Sequence, residues 1–420
     1  MARRLTSTVL VVVALVFTPL SAIHASTDDL LEALAYVPET ALQDGGLISY
    51  LDHRAVEEAQ PGAAQPASYA EWDQLFDADA PAYELWRAAF SGVNGGMSEL
   101  LVTFTIGADE WPALLGFDFF DVDRQLGYGR LPDAGLVLAG TLDPAAIVAA
   151  FEARGFVAEA AGDRTMLCSE AGCDSGLEMD LSAMDRANPF GGSLGRKQPL
   201  LVSPEVMLSS ASLVTIEAMQ DANDGVVPSL AEKASLRLLV DLIPGDAFLR
   251  QAMIAGPEAL TGGLAEVLMS RAGVEDLQAA LGETELEPIP PYELASFVDT
   301  ATPDAQVTYV ALTFADAADA EIAADVMPRR IGSLGSLVVD RTIGEILERR
   351  GVTSIETDVH TAPDGSGAVM LMTLRSAPPL IDPDDIDRSD ATPSLVYRAL
   401  FDMIFRRDVL WLAPDLPSDA

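Results

Sequence analysis

Residues 136–168 read LVLAGTLDPAAIVAAFEARGFVAEAAGDRTMLC, and this stretch decides the fold class. Leu136–Gly140 is a short apolar run with the length of a buried strand. Asp143 then stands as an N-cap with Pro144 at the first helical position, where a missing N–H costs nothing. Ile147, Val148 and Phe151 share one helical face, and Gly155 after Arg154 ends the helix. Two strands follow, around Phe156–Glu159 and Arg164–Cys168.

Toward the C-terminus, Val206–Ile216 reads as a long strand or a strand pair. Ser229-Leu230-Ala231-Glu232 has the form of a capping box, opening a helix that presents Leu236, Leu239, Val240 and Ile243 and stops at Pro244-Gly245. Ala247–Ala255 is a strand. Strand, helix, strands, helix, strand is the order of a ferredoxin-like α+β domain.

A second pass follows the proline-rich segment 286–291. Leu294–Val298 and Gln306–Phe314 form a hairpin, an Ala-rich helix runs to Arg329-Arg330, and Ser354–Thr361 and Ala368–Arg375 alternate around Pro363-Asp364-Gly365. Thr392-Pro393 opens a helix with Val396, Leu400, Met403 and Ile404 on one face, where core packing is expected. Val409–Leu412 reads as a last strand. The expected fold class is therefore α+β: two packed modules of antiparallel sheet with helices on one face, ferredoxin-like and duplicated. The modules span 136–285 and 286–420, and a mostly helical segment 26–135 packs on the first. Within that segment Leu47–Leu51 and Leu100–Ile106 read as strands.

The N-terminus, residues 1–25, is a signal peptide by pattern. Arg3-Arg4 precede an apolar run from Val9 to Phe17, and Ala22-Ile23-His24-Ala25 fits a small-x-small cleavage site. The run is short for a membrane span, and no later segment is long and apolar enough for one. The expectation is an exported, secreted or periplasmic protein. Cys168 and Cys173 are the only cysteines, and an even, close pair in an exported chain reads as a disulfide.

The 420 residues carry 65 Asp+Glu against 25 Lys+Arg, a formal charge of −40, which excludes nucleic acid as a partner. The only lysines are Lys197 and Lys233. Acid excess with little lysine fits salty surroundings or ordinary solubility in an Arg- and Ala-preferring genome; neither speaks to mechanism.

Histidine is scarce. His53, with Glu57 and Glu58 downstream, suits an ion pair on a helix face and lacks the second His of H-E-x-x-H. Glu356, Asp358 and His360 alternate along a strand and point to one side. They could hold a divalent cation, or simply form the wet face of a half-buried strand. Asp382, Asp384, Asp385 and Asp387, with Asp390 beyond, form an acidic stretch able to take Ca²⁺ adventitiously, though the EF-hand spacing fails. Gly191–Gln198 has the wrong spacing for a phosphate loop and reads as a flexible exposed loop. No nucleophile elbow is present, while a carboxylate pair could hide among so many acids. The function expected is binding of a protein, an envelope component or a small solute. The alternatives are an exported hydrolase built on two carboxylates and a cation-stabilised envelope protein.

Overall fold

Along the strands of the hairpin Leu294–Phe314 burial does not alternate but runs on continuously, polar Ser296, Asp299, Thr300 and Thr308 included, which marks a sheet buried on both sides. The computed structural model describes residues 27–414 except 61, 79, 94–98, 130–133, 262–285, 303 and 379–392. Twelve strands form one sheet. In chain order they are β1 (Leu47–Asp52), β2 (Val122–Tyr128), β3 (Gly135–Gly140), β4 (Phe156–Ala161), β5 (Arg164–Ser169), β6 (Leu200–Val202), β7 (Val206–Ser210), β8 (Phe248–Ala255), β9 (Leu294–Thr302), β10 (Ala305–Phe314), β11 (Val352–Thr361) and β12 (Ala368–Ser376). Across the sheet the order is β11-β12-β10-β9-β8-β1-β2-β3-β7-β6-β5-β4, with every pair antiparallel.

The expected pair of sheets is thus one sheet. Met253 of β8 lies opposite Phe297 of β9, so the ladder runs straight across residue 286. Segment 26–135 supplies β1 and β2 to the middle of the sheet, where Tyr50 stands between Leu126 and Ala252.

Helices cover both faces, not one. On one face Phe297, Val310, Leu312 and Met370 pack with the helices Ala317–Ser333, Ile343–Arg349 and Leu395–Phe405. On the other, Val298, Tyr309 and Ala311 pack with Thr27–Leu34 and Ala234–Leu242. Farther along the first face Leu138, Leu167 and Met207 meet Glu99–Gly107 and Pro144–Glu152.

Several expected elements change identity for local reasons. Leu100–Ile106 is helical, because Leu100, Phe104 and Ala108 fall on one helical face toward the core. Val206–Ile216 divides at Ser212 into β7 and the helix Leu213–Asn223, whose Thr215, Ile216, Met219 and Ala222 are buried at helical spacing. Ser229 makes no side-chain cap; a 3₁₀ turn, Leu230–Glu232, precedes the helix Ala234–Leu242. Val409–Leu412 contains a 3₁₀ turn, Leu410–Leu412, not a strand. Arg330, buried at the end of its helix, holds that turn by donating to the Glu287 and Ala413 carbonyls at 2.8 and 2.7 Å. The C-terminal apolar stripe is core: Val396, Leu400, Met403 and Ile404 are all buried.

Cys168 and Cys173 form a disulfide at the end of β5. The Ser169 hydroxyl donates to the Gly172 carbonyl at 3.0 Å inside the same loop. Gly172 sits at φ +106°, a conformation L side chains rarely adopt. A loop this short restricts the unfolded chain little. Cys168→Ser with Cys173→Ser should therefore cost about 2 kcal/mol or less. Urea unfolding of the double variant checks this, and a loss well above that figure would mean the bridge holds more than its own loop.

Candidate functional site

The backbone between Val37 and Glu39 zips onto residues 228–230: the Leu230 N–H donates to the Val37 carbonyl and the Glu39 N–H to that of Pro228, both at 2.9 Å. A 3₁₀ helix, Glu39–Gly45, then crosses the end of the sheet and turns into β1 at Gly46. Only glycine fits there, because a Cβ would lie 1.9 Å from the Ala41 carbonyl oxygen. This crossing segment leaves three hollows beside it.

The first, of about 300 Å³, reaches Tyr128, Val214 and Ala218. The second, about 780 Å³, is walled by Leu42, Val227, Leu230 and Leu294. The third, about 360 Å³, reaches Ser235, Phe314 and Gly367. Neighbouring hollows share walls. Pro38, Thr40, Gln43 and Ala218 border the first two, and Glu39, Pro228, Lys233 and Glu293 the last two. They form one trough.

The trough runs along the ends of neighbouring strands. Tyr128 ends β2, Gly46 precedes β1, Gly256 follows β8, Leu294 begins β9, Phe314 ends β10 and Gly367 precedes β12. Those six strands are adjacent in the sheet. At the usual strand spacing the trough is roughly 24 Å long.

Lys233, one of the chain's two lysines, stands where the second and third hollows meet. Its Nζ lies 2.9 Å from Glu293 and 3.6 Å from Glu39. Half-exposed pairs of this kind add little stability. Five carboxylates, those of Glu39, Asp221, Glu232, Glu258 and Glu293, line the trough against this single amine. The Ser235 hydroxyl is buried on the third hollow with no hydrogen-bond partner.

The residues expected from sequence lie elsewhere. Glu356, Asp358 and His360 do share a face, on β11 at the edge of the sheet, opposite Thr373, Leu371 and Val369. Glu356 and Asp358 are exposed and His360 half-buried. Among the described residues no three His, Cys, Asp or Glu gather as a metal site. Asp382, Asp384, Asp385 and Asp387, with Asp390, lie outside the described residues. Gly191–Gln198 is exposed only in part: Ser193 and Lys197 are exposed, while Gly191 and Gly192 are buried, and a Cβ on Gly192 would meet the Asp185 carbonyl at 2.3 Å.

His53 is not in a surface ion pair. It is buried at the start of the helix His53–Glu58, between Phe119 and Phe90 at 4.9 and 6.0 Å, and neither ring nitrogen has a partner. Burial holds its pKa down at about 3, so it is neutral. The surface pair is Arg54–Glu58 at 3.6 Å. Glu57 instead accepts from the Trp86 indole N–H at 2.8 Å, and burial raises its carboxyl to about 7. Asp52, which caps the same helix by accepting from the Ala55 N–H at 2.7 Å, is also raised to about 7 by burial. The charges acting most strongly on Glu57 are those of Glu58, Asp123 and Arg54.

No protein-family model matches the sequence, and no curated protein matches it. Among solved structures, crystal form III of TP0453 aligns at 9% identity over 85% of this chain and 97% of that one, with a TM-score of 0.31. Crystal form I of TP0453 aligns at 9% identity over 88% and 97%, with a TM-score of 0.32. Neither likeness carries a functional argument to this chain. No specific activity is evident. No helix among the described residues is long and apolar enough to cross a membrane.

Proposed function

We propose that the protein is an exported binding protein whose ligand lies in the trough at the strand ends. The observation that carries this is the middle hollow. At about 780 Å³ it has the size of a ligand site, and Leu42, Val227, Leu230 and Leu294 give it apolar walls with polar groups on the rim. Walls drawn from five separated parts of the chain are rigidly placed, since the sheet fixes where each strand ends. The N-terminal pattern supports export as part of the same reading.

A neutral apolar dye such as Nile red tests the trough without assuming a ligand charge. Bound dye should fluoresce more strongly and to the blue. Ala218 borders two hollows, and Ala218→Trp would project an indole into the space where they meet. The variant should lose the signal while keeping its melting temperature. Dye binding that survives Ala218→Trp, or none in the parent chain, would overturn the reading.

A further inference from the structure

We propose that the trough's ligand is an extended, positively charged peptide segment with apolar residues between its charges. This rests on the trough being the binding site. Three observations on the trough set its ligand class.

The first is shape. The trough is long and narrow, crossing the ends of six strands, so it fits a chain better than a compact solute. An extended segment rises about 3.3 Å per residue, so the length takes roughly seven residues. The second is charge. Five carboxylates face one amine, and Lys233 is already held by Glu39 and Glu293. Asp221 and Glu258 on the middle hollow make no ion pair with any described residue. An anionic ligand would be repelled, while a guanidinium or ammonium group gains two free partners. Apolar walls between these carboxylates select alternating apolar residues. The third is Ser235. Its buried hydroxyl lacks a partner on the third hollow, and an extended peptide backbone offers a carbonyl or N–H to it.

Lys233 makes the test direct. With only two lysines in the chain, acylation by a water-soluble active ester reads Lys233 in the trough and Lys197 outside it as internal control. The probe is an N-acetylated eight-residue peptide alternating Arg and Val, which has no amine of its own. Matched peptides carry Glu or Ser in place of Arg. The Arg peptide should slow acylation of Lys233 at least tenfold and leave Lys197 unchanged. Asp221→Asn with Glu258→Gln should weaken its binding about tenfold, and Ser235→Ala about threefold, the size expected for one hydrogen bond. Equal protection by the Ser or Glu peptide, or undiminished binding to the Asp221→Asn/Glu258→Gln variant, would overturn the charge assignment. If Nile red binds and is lost in Ala218→Trp while no peptide protects Lys233, the peptide inference fails and the trough stands. If neither binds, the failure lies in the trough itself.

Discussion

Asp299→Ala should lower the free energy of unfolding by about 4 kcal/mol, the largest loss expected from any single polar substitution in this chain. Asp299 is fully buried on β9, near the middle of the sheet. One carboxylate oxygen accepts from Arg250 at 2.9 Å, the other from Gln251 at 3.1 Å and from the Ser394 hydroxyl at 2.5 Å. Ser394 is itself strained, at φ +60°, and its N–H donates to the Gln306 side chain at 2.8 Å. Gln251 reaches onward to the Gly92 carbonyl at 3.4 Å. Removing the carboxylate leaves Arg250 buried and 4% exposed with an uncompensated charge. The remedy distinguishes charge from packing: Asp299→Leu with Arg250→Met should recover most of the loss, because no charge is then stranded. Denaturant titrations of the single and double variants measure both. A single variant within 1 kcal/mol of the parent would show that the network contributes little.

The second large effect depends on pH. Asp52→Asn should stabilise the protein by about 4 kcal/mol at pH 8 and by well under 1 kcal/mol at pH 4. Burial raises the Asp52 carboxyl from 3.8 to about 7 in the fold. A raised acid contributes stability fully below its unfolded pKa and loses it as pH rises through the folded value, so the penalty grows between about pH 4 and 7. Asn keeps the cap, since its oxygen still accepts from Ala55. His53 works in the opposite sense: lowered from 6.5 to about 3, it contributes stability above pH 6.5 that is lost as pH falls toward 3. Below pH 6.5 the slopes of Asp52 and of Glu57, itself raised from 4.5 to about 7, partly cancel that of His53 in the parent. In Asp52→Asn only Glu57 still opposes His53, so stability should fall more steeply on acidification than in the parent. A variant whose stability difference from the parent is the same at pH 4 and pH 8 would sink this account.

Local signals were readable and pairing was not. The Asp143-Pro144 start and the Gly155 stop gave the helix Pro144–Glu152. Asp316 caps the Ala-rich helix, and Pro363-Asp364-Gly365 joins β11 to β12. These are matters of neighbouring residues. The single sheet is not, because β1 pairs with β8 and β3 with β7. β2, reading VDRQLGY, has too little apolar alternation to be recognised, yet lies central because β1 and β3 flank it. The trough had no sequence signal at all. Its walls come from residues 38–43, 46, 128–129, 214–235, 256–258, 293–294, 314 and 366–367, which meet only once the strand ends are aligned. Glu356 and Asp358 were legible as a shared face, and their place on the edge strand gives that face a physical sense: charge along an exposed edge discourages pairing with another sheet.

The central position of β1 has a consequence in time. Leu47 pairs with Ala255, so one edge of β1 has no partner until β8 has been made. At ordinary synthesis rates that wait is roughly ten to forty seconds. Closure around Asp299 has its own wait, since Ser394, 95 residues farther on, completes it. During that interval an apolar strand stands open to solvent. A chain built this way completes its sheet only after segments some two hundred residues apart have both been made.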